Sequence, residues 1–482
     1  MVRRSPFREI VSNTAFEYYR TWLRECEAFH ACVQRNNTPR LPTRVINVGS
    51  LNTNSVPKLH LSKKGEKGRY AALSYCWGRQ QDFTTTVKTL HERIQGFGVD
   101  VLPKTISDAI IVAQRLDIQY LWVDSLCIIQ DSAPDKIREI SKMGDTYRKA
   151  TVTIAAASAR GVTEGFLFDR LPDDPSLPFY LSHSTSGTIS FSTVANSDGR
   201  NDPLSTRGWA FQEFVLSPRV ILFDKFQATW HCSENLCKEV VPSYLRYNVG
   251  PRLTYSYVKR NGQTASDADS WRSIIRDYAS SDLTFFEDRL TAISGVVKDL
   301  AKVWRDDYLA GFWRNSLVHL LSWKRKTDKY INFQHLRSKG RIGSPSWSWK
   351  TAPFGIYLNP VDEPVIELID CHVTLLSPFA PFGEVIEGVL TLRGKIFPIP
   401  DGTEVKGNGN NWVQYNLDYD SVKLDNSMRL LLLGDGSNGP LALIIRELEN
   451  GRFERIGLYE QRYGISDNST LENGSDQIII ME

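Results

Sequence analysis

The residues of this 482-residue chain with the most chemical potential lie in YLWVDSLCIIQD, residues 120–131. An apolar run from Tyr120 to Val123 stops at Asp124, and a second from Leu126 to Ile129 stops at Gln130 and Asp131. The pattern predicts a buried strand that carries a carboxylate to its own end. In an open α/β sheet, residues just beyond the carboxyl ends of the strands line the ligand crevice. Asp124, Ser125 and Cys127 are therefore site candidates. Asp124 is read either as a ligand for a ribose hydroxyl or as an N-cap for the segment that follows. Cys127 is read either as a nucleophile with His231 as its base, or as inert core. A reactive thiolate needs a basic or positive neighbour, whereas both residues stand in apolar sequence that favours packing. Ser74, Tyr75, Cys76 and Trp77, at the end of the run YAALSYCWG, are expected to contact a ligand, since no base is identifiable beside Ser74. Cys26, His30 and Cys32 could supply three metal ligands, with Cys26 and His30 one helical turn apart. The paired-cysteine spacing of familiar zinc sites is missing, so they are read as buried thiols beside an imidazole and no metal ligand is assigned.

The elements that must position these residues follow from periodicity. Residues 14–33 place Phe16, Tyr19, Trp22, Leu23, Cys26 and Phe29 at helical spacing. From Tyr70 strands and helices alternate: YAALSY as strand, LPKTISDAIIVAQRL as helix with Thr105 and Asp108 as a capping box, the strand at Tyr120, a helix from Asp135 to Tyr147, and the strand TVTIAAAS. Such alternation predicts a mainly parallel sheet flanked by helices. Residues 160–205 read as a long loop with a short hairpin, RGWAFQEFVLSP as a helix stopped by Pro218, and RVILFD and QATWHC as two more strands. Ser74, Cys76, Asp124 and Ser158 are expected at one edge of the sheet. Residues 270–325 have a helical pattern, in which His319 among Leu317, Leu320 and Leu321 reads as packing. Short β runs after SPSWSWK suggest a sandwich or barrel.

Composition sets the broad class. Hydrophobic residues form 41% and charged residues 23% of the chain, with a net charge of +3, which is ordinary for a globular protein and carries no electrostatic footprint for nucleic acid. The seven cysteines are odd in number and scattered, so reduced thiols in a cytoplasmic protein are expected. The N-terminal residues lack the apolar core of a signal sequence, and no run is long enough to span a bilayer. The expected divisions are an N-terminal helix and lead-in (1–64), an α/β domain (65–240), a helical region (241–340) and a β-rich C-terminal domain (341–482).

The succession YAALSYCWG, LPKTISDAI, YLWVDSLCIIQD, YRKATVTIAAASA, GFLFDR, RGWAFQE, LSPRVILF and WHC resembles the fungal heterokaryon incompatibility (HET) domain. DYLAGFWRNSLVHLLSW, PSWSWK and TWLRECEAFHAC resemble the remainder of stand-alone HET proteins. The resemblance implies a fungal protein of the group associated with non-self recognition and regulated cell death. Three positions depart from the family's usual pattern: Ser132 stands where a second acidic residue is usual, Phe214 where Arg is usual, and His231 where Glu is usual between Trp and Cys.

HET domains in turn distantly resemble TIR domains, some of which cleave NAD with a glutamate in a Trp-x-x-x-Glu segment. Trp209 and Glu213 match that spacing, which implies Glu213 as catalytic carboxylate, Trp209 as base contact, NAD as substrate and a homo-oligomer. The bland alternative keeps Trp209 in the core and pairs Glu213 with Arg207 or Arg219. Three functions stand open: an incompatibility effector, a tailoring enzyme of specialised metabolism on the same scaffold, and a non-catalytic module for a protein partner or small ligand.

Overall fold

The computed structural model describes residues 7, 9–32, 38–49, 56–79, 81–170, 176–182, 185–190, 202–232, 236–238, 267–326, 344–352, 355–399, 413–418, 423–461 and 474–482. The chain divides into two compact units, Met1–Ser256 and Tyr257–Glu482. Among the described residues no helix is long and apolar enough to cross a membrane.

The first unit is built on an eight-stranded sheet. Its strands are β1 (Arg44–Asn47), β2 (Lys58–Leu61), β3 (Tyr70–Ser74), β4 (Tyr120–Trp122), β5 (Val152–Ala156), β8 (Arg219–Phe223), β9 (Ala228–Cys232) and β10 (Leu236–Lys238), while β6 (Ser176–Ser182) and β7 (Thr185–Ser190) form a separate hairpin. The spatial order is β10-β9-β8-β5-β3-β4-β1-β2. The four central strands, β8, β5, β3 and β4, are mutually parallel, as the strand–helix alternation predicts. Antiparallel strands extend both edges.

Helices cover both faces. On one face lie α1 (Asn13–Phe29) and α3 (Lys104–Arg115), joined where Arg20 donates to the Arg115 carbonyl at 2.9 Å. On the other lie α6 (Met143–Lys149) and α7 (Gly208–Leu216); Tyr70 reaches the Thr146 carbonyl and Ser74 reaches Glu213 from alternate positions of β3. Short helices α2 (Leu90–Gln95), α4 (Asp124–Cys127) and α5 (Ala133–Ile140) fill the connections.

The second apolar run, Leu126–Ile129, begins in the helical turn α4. Two local expectations are corrected. The helix expected over Asp135–Tyr147 is two, α5 and α6, and Ile137 faces solvent at 47% exposure. Thr105 and Asp108 do not cap α3, whose N-cap is Pro103. Asp108 instead accepts the backbone N–H groups of Phe166 and Leu167, and Thr105 that of Gly165. Tertiary partners outcompete the local cap, which is how the GFLF segment is fastened to α3.

The second unit starts with helices Asp267–Tyr278 and Ser294–Trp304. The helical pattern expected through residue 325 is broken by a hairpin pairing Tyr308 with Trp313 and Leu309 with Phe312. Ala310 and Gly311, both at positive φ, form the two-residue turn such hairpins favour. Strands Met428–Gly436, Gly439–Glu447, Phe453–Gln461, Ser475–Met481 and Val385–Pro398 then pair in succession, and Ile396–Pro398 pairs back with Arg429–Leu431, closing a ring. A barrel, one of the two expected architectures, results. His319 is partly buried, with Nδ1 2.9 Å from the Val361 carbonyl, as fits packing.

The segment after Asp124 is fixed by a buried ion pair between Arg44 of β1 and Asp135 of α5. Arg44 also donates to the Cys127 carbonyl at 2.6 Å. Burial raises the Asp135 pKa, but the Ile129 N–H, Arg138 and Arg44 outweigh it and hold the carboxyl below its usual range. Removing one partner of a buried pair leaves the other uncompensated, so Asp135→Ala should cost about 3–5 kcal/mol in denaturant unfolding. The Asp135 contribution is full above about pH 4 and fades as pH falls through the depressed pKa, so the gap between wild type and variant should narrow in acid. A surface-like loss under 1 kcal/mol would contradict this placement.

Candidate functional site

Ser74 ends β3, Asp124 follows β4 and Ser158 follows β5, so three adjacent parallel strands deliver their next residues to one edge. The loops beyond β3 and β5 meet there: a side chain on Gly78, at φ +79°, would come within 2.9 Å of Gly161 Cα, which explains the glycine of CWG. α7 crosses the same edge and brings Glu213. The end of α7 is held by Ser217, which donates to the Glu213 carbonyl at 2.5 Å and lies 2.6 Å from Thr153 of β5.

Glu213 is 3% exposed, and Ser74 donates to its Oε2 at 2.5 Å. Burial pushes its pKa up to about 7 against the pull of Arg207 and of the Ser74 hydroxyl, and the charge of Asp124 pushes the same way. Tyr147, whose hydroxyl donates to the Leu73 carbonyl at 2.9 Å, also lies beside this carboxyl and pulls its pKa down. Asp124 accepts from Trp77 Nε1 at 2.8 Å and from the Ser125 N–H at 2.6 Å. Burial raises its pKa too, opposed by Arg207 and Trp77. Two carboxyls therefore share the charge of one guanidinium, Arg207, the residue at the N-cap of α7.

The rest of the constellation is polar and largely buried. Tyr75 donates to Ser125 Oγ at 3.0 Å, and Gln81 Nε2 lies 3.2 Å from both of those oxygens. Cys76 is buried, and burial raises its thiol pKa. Among the described residues Ser158 Oγ, which is enclosed, has no hydrogen-bond partner. The structure thus brings together Glu213, Asp124, Ser74, Tyr75, Cys76, Trp77 and Ser125. Trp209, one turn before Glu213, packs partly buried against the main core. Asp124 is not an N-cap, since Val123 holds that position in α4.

Cys127 and His231 are not brought together. They belong to β4 and β9 sides of the sheet, four strand spacings or about 19 Å apart. Cys127 is fully buried, and burial pushes its pKa up to about 12, the opposite of nucleophile activation. His231 is buried, with Nε2 2.9 Å from Thr229 Oγ1 and its ring edge-on to Phe214 at 5.2 Å. Arg219, the other partner considered for Glu213, lies on the opposite sheet face against Cys26. Tyr147 and Gln81 were not legible as site residues. Tyr147 reads as an inward helix position, and Gln81 belongs to a loop with no periodic signal.

The Glu213 arrangement sets a pH dependence. A carboxyl raised from 4.5 to about 7 in the fold stabilises below the lower value and loses that stabilisation as pH rises through the upper one. Glu213→Gln keeps an acceptor for Ser74 and cannot ionise. Relative to wild type, the variant should gain on the order of 3 kcal/mol between pH 4 and pH 8 in urea unfolding. Parallel stability curves would show that Glu213 is not strained by its ionisation.

Residues 70–213 match the model of the family described as heterokaryon incompatibility protein (HET), from the first residue of β3 to the buried glutamate. Comparison with curated proteins and with solved structures gives no match.

Proposed function

We propose, from the premise that residues 70–213 form a HET domain, that this protein is a fungal effector of heterokaryon incompatibility which acts by cleaving the glycosidic bond of NAD or a related nucleotide. The supporting observation is the buried Glu213, bonded to Ser74 at the carboxyl edge of a parallel sheet and titrating near neutrality. Departure of a neutral base leaves an oxocarbenium-like sugar, and an ionised carboxylate in a dry site stabilises that cation. In this reading Asp124 binds a ribose hydroxyl, Arg207 faces a phosphate, and Trp77 stands at the edge with Tyr75 buried behind it. The pKa near 7 holds Glu213 close to the balance between its two forms at cytoplasmic pH.

The 3% exposure of Glu213 supports a second reading, in which the carboxyl cluster is a buried lock and the domain is a non-catalytic interaction module. The tailoring-enzyme reading gains nothing from His231, which is packed against Phe214.

Nicotinamide release from NAD by the purified chain separates the two. Catalysis predicts turnover that rises with pH through about 7 and falls at least about 100-fold in Glu213→Gln. Equal turnover in the variant would remove Glu213 from the chemistry. Absence of turnover in every form, with growth arrest on expression in a fungal host unaffected by the substitution, would favour the interaction module.

A further inference from the structure

The face of the sheet opposite Glu213 carries a second group of reactive side chains. Cys26 lies in the last turn of α1, His30 is its C-cap residue, Cys32 follows two residues later, and Cys232 is the last residue of β9. Their ligand atoms, three sulfurs and one ring nitrogen, all lie within 4.8 Å of one another. Cys232 Sγ is 3.3 Å from His30 Nδ1. A tetrahedral zinc ion with Zn–S near 2.3 Å and Zn–N near 2.0 Å holds its ligand atoms about 3.5–3.8 Å apart, so the group needs only small adjustments to close on one ion.

A second observation concerns charge. Arg219 of β8 is 5% exposed; its Nε donates to Cys26 Sγ at 3.2 Å and its Nη1 to the Thr151 carbonyl at 3.2 Å. Among the described residues no carboxylate forms an ion pair with it. A buried guanidinium facing neutral thiols is uncompensated and costly. Three thiolates around a divalent cation sum to one negative charge, which Arg219 balances.

We propose that Cys26, His30, Cys32 and Cys232 bind one zinc ion in a closed Cys3His site, with Arg219 as its outer charge partner. On binding, each thiol releases one proton to solvent, neutral His30 offers its Nδ1 lone pair, and no group changes oxidation state. Four protein ligands leave no open position, so the site is structural. It joins α1 to β9, whose ligands His30 and Cys232 are 202 positions apart in the chain. In this proposal the spacing within residues 26–32 lacks a cysteine pair because the fourth ligand comes from WHC.

The test is metal content of the full chain purified under reducing conditions without chelator. About one zinc per chain is expected in wild type, falling at least tenfold in the Cys232→Ala and His30→Ala variants, whereas His30→Cys, which can build a four-thiolate site, should retain it. Cobalt substituted for zinc should give the spectrum of a tetrahedral thiolate site, a readout on wild type that does not depend on any variant folding. Wild type that holds no zinc after refolding with zinc and reductant would overturn the proposal. So would a disulfide among Cys26, Cys32 and Cys232 in the reduced preparation, or undiminished zinc in a His30→Ala, Cys232→Ala double variant.

Discussion

Burial of two carboxyls beside a single guanidinium is the constraint around which the first unit is arranged. Taking an ionised carboxylate out of water is costly unless it is paired and hydrogen-bonded, and Arg207 cannot fully serve both Glu213 and Asp124. The remaining price is met by a displaced titration of Glu213 and by rigid placement of its partners. Ser74 is aimed by the pleat of β3, the α7 end is held through Ser217 and Thr153, and the Asp124 turn is tied down through Arg44 and Asp135. Stability is given up where a group of adjustable charge is wanted, a common trade at functional sites.

The two faces of β9 divide the labour of the WHC motif. Alternation sends Trp230 and Cys232 toward α1, where Trp230 lies 6.5 Å from Trp22, and sends His231 toward α7 and Phe214. The resemblance implies Glu and Arg at the positions of His231 and Phe214. In this chain the two departures are neighbours, and their rings make an edge-on contact. The third departure, Ser132, stands at the N-cap position of α5 without making a side-chain cap, and nothing in the structure explains it.

Periodicity made the parallel strands and their order of use legible, because β3, β4 and β5 are largely apolar and are followed closely by polar residues. That is why Ser74 and Asp124 could be placed at one edge before any coordinates. What periodicity could not convey was pairing between distant segments. Asp108 looked like a local cap because its partners, Phe166 and Leu167, lie more than fifty positions away. Arg44 with Asp135, and Cys232 with Cys26, escaped for the same reason: each half is an ordinary residue until the fold supplies the other. Glu213 was singled out from the resemblance alone, and its burial and partners came from the fold.

The central claim is that burial, only partly offset by an Arg207 charge shared with Asp124, leaves Glu213 titrating near neutrality. Carbon-13 NMR of the glutamate side-chain carboxyls, with Glu213 assigned from the Glu213→Gln spectrum, reads this directly. The account predicts one carboxyl with a midpoint at about 7, moving higher when Arg207→Met removes the opposing charge and lower when Asp124→Asn removes the like one. A Glu213 midpoint in the ordinary range near 4.3, unmoved by either substitution, would contradict it.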